Sequence, residues 1–294
     1  MDEQAALSLI GELTDSAGDD AAIVEDTALT IDMLHDSTDF PPGTTRYTAG
    51  WRSVGVSLSD VAAMGGEATA TVAALGAPDF GDEQLEEFVQ GAKDVSTLVD
   101  AAYVGGDLDQ HAEFTVATAA IGRAPDPVYR DGARPGDIVC VTGTLGRGAA
   151  GVRALEAGAI RQGNDLFQFT PRVKAGSALA EYATAMIDSS DGLARSLHQL
   201  GAASDVGVSI DGSAVPIAAD LGRYLGRSTT ELDVAITYGG DFELVCTMPE
   251  HQLEAARDIL AVPLTAVGTV EESTAGIELD GEPLADEGYT HGDE

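Results

Sequence analysis

Lysine is almost absent from this chain of 294 residues, where Lys93 and Lys174 are the only two. Fifteen basic residues stand against fifty acidic ones, for a formal net charge of −35. Nucleic acid and anionic membrane both call for clustered cations, so this balance speaks against either as a partner. Cysteine occurs twice and aromatics make up only 5% of the chain. Cys140 and Cys246 lie in apolar, strand-like runs and read as buried free thiols in a reducing compartment, with a disulfide between them the less favoured alternative. No apolar run approaches the roughly 20 residues of a membrane-spanning helix. The acidic start Met1-Asp2-Glu3 is unlike a signal peptide, so the expected location is the cytoplasm.

Several catalytic signatures are missing as well. There is no G-x-x-x-x-G-K-[ST] sequence, which excludes a P-loop enzyme. No nucleophile elbow, helical His pair or C-x-x-C is present, which removes the common hydrolase and zinc arrangements. The five histidines, His35, His111, His198, His251 and His291, are scattered among polar neighbours and read as surface residues. A hydrophobic content of 44% nevertheless supplies a real core, so the acid does not mean disorder. An acidic, lysine-poor surface suits a salt-loaded cytoplasm, because at 1 M salt the Debye length is about 3 Å and self-repulsion is screened.

What the chain has instead is aspartate at the edges of apolar segments. Gly18-Asp19-Asp20, Thr30-Ile31-Asp32, Leu58-Ser59-Asp60, Gly105-Gly106-Asp107, Asp188-Ser189-Ser190-Asp191 and Gly239-Gly240-Asp241 all fall where a strand should end or a turn begin. A solvated surface role is the default for any single Asp in so acidic a chain. Six such motifs together need another reason. The short carboxylate holds a hard cation rigidly, and Gly or Ser beside it leaves room for phosphate. Bare converging carboxylates repel by roughly 4 kcal/mol per pair at 4 Å and an effective dielectric near 20, so a cluster implies bound divalent metal or protonated acids.

The patterning predicts helices over Glu3–Leu13, Thr45–Met64, Asp82–Ala102, Thr144–Ala157, Pro171–Tyr182 and Leu193–Ala202. Strands are expected at Ala21–Val24, Ala28–Met33, Thr69–Leu75, Phe114–Ile121, Ile138–Thr142, Val206–Ile210, Phe242–Thr247, Thr265–Val270 and Gly276–Leu279. The turn-rich segment from Arg123 to Gly136 marks the best boundary. The expectation is an α+β chain of two α/β-sandwich domains, 1–124 and 137–294.

In this order, Gly18-Asp19-Asp20, Thr30-Ile31-Asp32, Ser57 to Gly65, Gly105-Gly106-Asp107, Asp137 to Gly146, Asp188 to Leu193, Gly239 to Leu244 and Gly268-Thr269-Val270 resemble the motifs of the thiamine-monophosphate kinases. The likeness runs from about residue 5 to the C-terminus, within the wider aminoimidazole ribonucleotide synthetase superfamily. It implies ATP-dependent phosphorylation of thiamine monophosphate to the diphosphate, several Mg²⁺ ions, and a homodimer joined through the N-terminal sheets of the ATP- and metal-binding half. By position it implies Asp19, Thr30, Asp32, Asp60, Asp107, Asp188 and Asp191 as metal ligands and Gly106, Arg130 and Ser190 as nucleotide contacts. Asp39 and Tyr289 fall at substrate positions. No residue is expected as a covalent nucleophile or general base, because a phosphate acceptor is already anionic at neutral pH.

Three positions depart from that pattern. Ile31 stands where Thr is common at the metal site, Asp39 where a substrate-contacting His is usual, and Gly240 where a Glu contacts substrate. Arg46, Trp51 and Phe242 are further candidates to hold the acceptor, with ordinary packing the default for Trp51 and Phe242. The competing readings are another ATP-dependent synthetase of the superfamily, and a non-catalytic acidic metal- or nucleotide-binding module. Simple ion buffering would not need Arg130 or the glycine pairs.

Overall fold

The computed structural model describes residues 10–11, 13–14, 18–226 and 229–289. The helix expected over Glu3–Leu13 lies largely outside them. In chain order the first half comprises β1 (Ala22–Val24), β2 (Thr27–His35), α1 (Arg46–Ala63), β3 (Glu67–Ala77), α2 (Asp82–Leu98), β4 (Ala102–Gln110) and β5 (Thr115–Arg123). Its sheet runs β1-β2-β5-β3-β4, with β3 and β4 parallel and the other neighbours antiparallel.

The second half comprises β6 (Asp137–Thr142), α3 (Arg147–Glu156), α4 (Ile160–Phe167), α5 (Val173–Leu179), β7 (Ala185–Asp188), α6 (Leu193–Ser204), β8 (Val206–Ile210), α7 (Glu231–Thr237), β9 (Leu244–Pro249), α8 (Leu253–Ile259), β10 (Leu264–Glu272), β11 (Ile277–Leu279) and β12 (Glu282–Pro283). Its sheet runs β12-β11-β8-β10-β6-β9-β7. Cys140 on β6 stands opposite Cys246 on β9, and both thiols are free and buried.

Helix α1 organises the molecule. It starts on a Thr45 cap, whose hydroxyl accepts from the Thr48 amide, and fourteen of its eighteen residues are buried. A helix buried on nearly every face belongs between layers, not on a surface. Its small residues allow close approach to α2: a Cβ on Gly50 would lie 2.1 Å from the Phe88 carbonyl oxygen, and one on Gly91 2.0 Å from that of Tyr47. One continuous apolar cluster joins Val54, Leu58 and Phe88 to Phe169, Leu179 and Met186 of the second half. The C-terminal end of α1 is thereby held against both halves at once.

Helix α2 ends at Leu98, short of the expected Ala102. Asp100 takes φ +64 and turns the chain into β4. The Gly105-Gly106-Asp107 motif therefore lies within a strand, not at its end. Strands β4 and β7 and the short helices α4, α7 and α8 were not anticipated.

Candidate functional site

Five segments of both halves converge at the end of α1. Asp60, the fourth residue from its C-terminus, meets Asp20 from the turn before β1 and Asp188 from the end of β7. One carboxylate oxygen from each lies within 4.8 Å of the others. The surrounding hydroxyls orient them. Thr30 Oγ1 donates to Asp60 Oδ2, and Ser59 Oγ donates to Asp188 Oδ2 at 2.5 Å. Also from α1, Ser57 Oγ donates to Asp32 Oδ2 on β2 at 2.6 Å and lies 2.8 Å from Thr118 Oγ1 on β5.

Among the described residues, one cation adjoins the cluster. Arg130 donates from its backbone N–H to Asp19 Oδ2 (3.0 Å), from Nε to Asp19 Oδ1 (3.3 Å) and from Nη2 to Asp20 Oδ1 (2.9 Å). That leaves Asp20 Oδ2 buried with no partner. A buried carboxylate oxygen without a donor is costly, and here it faces two more carboxylates. Burial first, then neighbouring charge, holds Asp20 and Asp60 well above the usual carboxylate range. Burial likewise raises Asp188 and pushes Asp32 up to about 6. Arg130 is raised as well: burial alone would lower it, but Asp20 and Asp19 outweigh that.

The residues expected from the sequence separate into those that meet and those that do not. Thr30, Asp32, Asp60 and Asp188 gather at the cluster, with Ser190 beside it donating its backbone N–H to Asp188 Oδ1 at 3.1 Å. At Asp19-Asp20 it is Asp20 whose oxygen enters the cluster, while Asp19 holds Arg130. A pair of adjacent acids does not reveal from sequence which one turns inward. Asp191 precedes Gly192, the cap of α6, and its carbonyl oxygen accepts from the Tyr289 amide at 3.1 Å. Asp39 is half-buried in the turn after β2, where its Oδ2 accepts from His35 N (2.8 Å) and Thr38 Oγ1 (2.7 Å).

Gly106 and Asp107 stand apart. The ladders align Asp32 with Thr118, Thr118 with Ala73 and Ala73 with Gly106. Three strand spacings put Gly106 about 14 Å from Asp32. Asp107 is exposed and pairs with Ala74, on the outer face of the sheet. Ile31 is on that face too, 75% exposed, between inward-facing Thr30 and Asp32. The departure at Ile31 therefore removes nothing from the cluster, because no side chain there reaches it.

Of the other acceptor candidates, Arg46 donates to Asp36 Oδ1 at 3.0 Å and covers the Phe114 ring, while Trp51 donates to the Phe169 carbonyl at 2.6 Å. Both side chains are thus engaged within the chain. Phe242 stacks on Phe169 with centroids 4.2 Å apart. Asp241, the acid of the last glycine–aspartate motif, serves structure: its carboxylate accepts from Gly146 N (2.5 Å) and Gly148 N (2.7 Å) at the start of α3. Burial pushes it up to about 6.

Comparison with known proteins places this geometry. The family "AIR synthase related protein" matches through its N-terminal domain over residues 18–124 and through its C-terminal domain over 134–280. A thiamine-monophosphate kinase of Halobacterium salinarum is 60% identical over 99% of this chain and 100% of its own length. One from Methanospirillum hungatei is 39% identical, covering 99% of both. Among solved structures, AaThiL complexed with AMPPCP and TMP superposes with a TM-score of 0.89 at 28% identity, covering 99% of this chain and 97% of that one.

Proposed function

This chain belongs to the AIR synthase related family, among its thiamine-monophosphate kinases, and we propose that it transfers the γ-phosphoryl group of ATP to thiamine monophosphate at the Asp20–Asp60–Asp188 cluster. The observation that carries the reading is the orphaned Asp20 oxygen amid carboxylates whose burial and mutual repulsion disfavour the bare, ionised state. Hard oxygen donors of this kind fit Mg²⁺. Asp20, Asp60 and Asp188 would hold it, with Asp32 and Thr30 beside them and Asp19 and Asp191 at the margin. Bound Mg²⁺ supplies neutralisation of charge on the phosphoryl oxygens.

The protein's own groups do the rest by position. Ser59, Ser57 and Thr30 fix the carboxylate orientations, as outer hydroxyls do around metal ligands. Arg130, clamped by Asp19 and Asp20, presents a fixed cation for the nucleotide phosphates, and Ser190 lies on the same loop as Asp188. In the transfer an oxygen of the acceptor phosphate forms a bond to the γ-phosphorus as the bond to the β-phosphate oxygen breaks, releasing ADP. The acceptor oxygen is already anionic, so in-line transfer needs no general base.

The second copy in a homodimer accounts for Asp107 and Gly106. The outer face of the first sheet exposes Leu29 (46%), Ile31 (75%), Met33 (57%), Val72 (39%), Val104 (64%) and Ile121 (40%). So contiguous an apolar face marks an interface. Joined there, Asp107 would act toward the second copy's site, not its own. No helix of the described residues is long and apolar enough to cross a membrane, and we place the enzyme in a salt-rich cytoplasm beside its Halobacterium relative. The test is ATP turnover in molar KCl with and without thiamine monophosphate. The monophosphate should stimulate ADP release and yield thiamine diphosphate, and free thiamine should not be phosphorylated. ATP turnover indifferent to the monophosphate would send the chain to another reaction of the family.

A further inference from the structure

Arg52 is a buried cation, 8% exposed, with no carboxylate in ion-pair reach among the described residues. Buried charges are ordinarily paired, because desolvation is expensive. Among the described residues its direct contacts are carbonyl oxygens and aromatic faces. Nη1 donates to Phe167 O at 3.1 Å and to Gly240 O at 3.3 Å, and Nη2 donates to Gly240 O at 3.3 Å. Cζ sits 3.9 Å over the Phe167 ring. Burial pulls the guanidinium down to about 10, while Tyr238, Asp241 and Asp39 oppose that. Asp241 is already engaged by two backbone amides. Asp39 keeps Oδ1 without a hydrogen bond among the described residues, since both of its donors go to Oδ2.

Gly240 makes this arrangement possible. It adopts φ +93, and a Cβ there would fall 2.5 Å from Arg52 Nη2. The guanidinium thus occupies the space of a side chain at 240, and the turn presents a donor. Arg52 also precedes Ser59 by seven residues on α1, two turns along one face and roughly 10 Å from the Ser59–Asp188 contact. That span matches the reach from the phosphate of thiamine monophosphate to its aminopyrimidine ring. An aminopyrimidine offers a ring nitrogen that accepts and an adjacent amino group that donates. Guanidinium and carboxylate are the complementary pair.

Resting on the acceptor assigned above, we propose that Arg52 and Asp39 read the acceptor's heteroaromatic ring, the guanidinium donating to a ring nitrogen and the carboxylate accepting from the neighbouring amino group. Oxythiamine monophosphate tests this, since its ring carbonyl and N–H reverse the donor and acceptor. In the wild type kcat/KM should favour thiamine monophosphate on the order of 100-fold, because reversal leaves two buried polar groups opposed. Arg52→Met should shrink that preference to within about threefold while KM for ATP stays put, since only the ring contact is lost. Asp39→Asn, whose amide can donate to a carbonyl, should narrow it as well, and decides the matter if Arg52→Met does not fold by circular dichroism. Equal use of both acceptors by the wild type, or undiminished preference in the folded variants, overturns the assignment. If neither acceptor supports ATP turnover, the proposed reaction fails. Calorimetric binding of both compounds to the wild type then still decides: tighter thiamine monophosphate supports the ring reading, and equal affinities end it.

Discussion

Replacing Asp60 by Asn removes one of three carboxylates whose ligand atoms lie within 4.8 Å of one another. At that separation and an effective dielectric near 20, each ionised pair repels by about 3.5 kcal/mol. Burial already holds Asp60 and Asp20 above the usual range, so they take up protons more readily than free carboxylates, which relieves part of the repulsion. The gain on substitution is therefore capped at about 3 kcal/mol. Asn keeps an oxygen for the Thr30 hydroxyl and adds an amide donor facing Asp20 and Asp188, so no buried group is newly orphaned. With an unfolding entropy near 2.1 cal/mol/K per residue, the metal-free melting temperature should rise by about 2 to 5 °C.

Mg²⁺ reverses the comparison. A ligand that binds only the folded state stabilises it by mass action, and the variant has lost a ligand. Wild type should gain more from Mg²⁺ than Asp60→Asn does, and turnover at saturating Mg²⁺ should fall at least on the order of 100-fold. The assay is thermal unfolding in molar KCl with chelator or Mg²⁺, paired with ADP release. A metal-free variant less stable than wild type, with turnover intact, would refute the argument. The sign with pH follows from the raised carboxylates. Each binds its proton more tightly when folded, so metal-free stability should fall as pH rises from near 4 through about 6 for Asp32, with Asp20, Asp60 and Asp188 acting in the same direction. Mg²⁺ affinity should climb over the same interval, as its ligands deprotonate.

Three further outcomes are expected. With a net charge of −35, the melting temperature should climb steeply from dilute buffer to molar KCl, and Mg²⁺ should act at far lower concentration; equal midpoints at matched ionic strength would leave screening as the whole explanation. Ile31→Asp on the outer sheet face should yield monomers by light scattering and, through Asp107, depress turnover, whereas an unchanged mass would remove that face as the interface. Arg130→Met leaves Asp19 and Asp20 without their cation and should cost about 3–5 kcal/mol in metal-free stability, read by denaturant unfolding, along with a raised KM for ATP.

The parts of this fold legible in the sequence were those decided locally. Periodicity placed α1 within a residue at each end, because small apolar residues recur at every helical face and Gly65-Gly66 halts the run. The alternation around Thr30 and Asp32 marked β2, but not which of its faces would be buried. That choice depends on β5 lying beside it and α1 beneath, which is why Ile31 reads as a site position in sequence and as an exposed residue on the outer sheet face in space. Asp20 was overlooked for a similar reason, since the turn that aims one acid inward and hands the other to Arg130 is set 110 residues away in sequence. Asp107 belongs to a strand whose neighbour is parallel and lies on the outer face of the sheet, and neither appears in a local pattern.

Arg52 shows the limit most plainly. In the sequence it is one arginine in a helix. Its meaning comes from Phe167 and Gly240, 115 and 188 residues further along, which supply carbonyl oxygens where a carboxylate would be expected. The missing side chain at 240 was legible as a lost contact; only the packed structure shows a guanidinium filling that space. A buried charge without an ion pair persists only if something else repays its desolvation. Two carbonyls and an aromatic face repay part of it, and the donor protons left over point to the rest being supplied by what the enzyme binds.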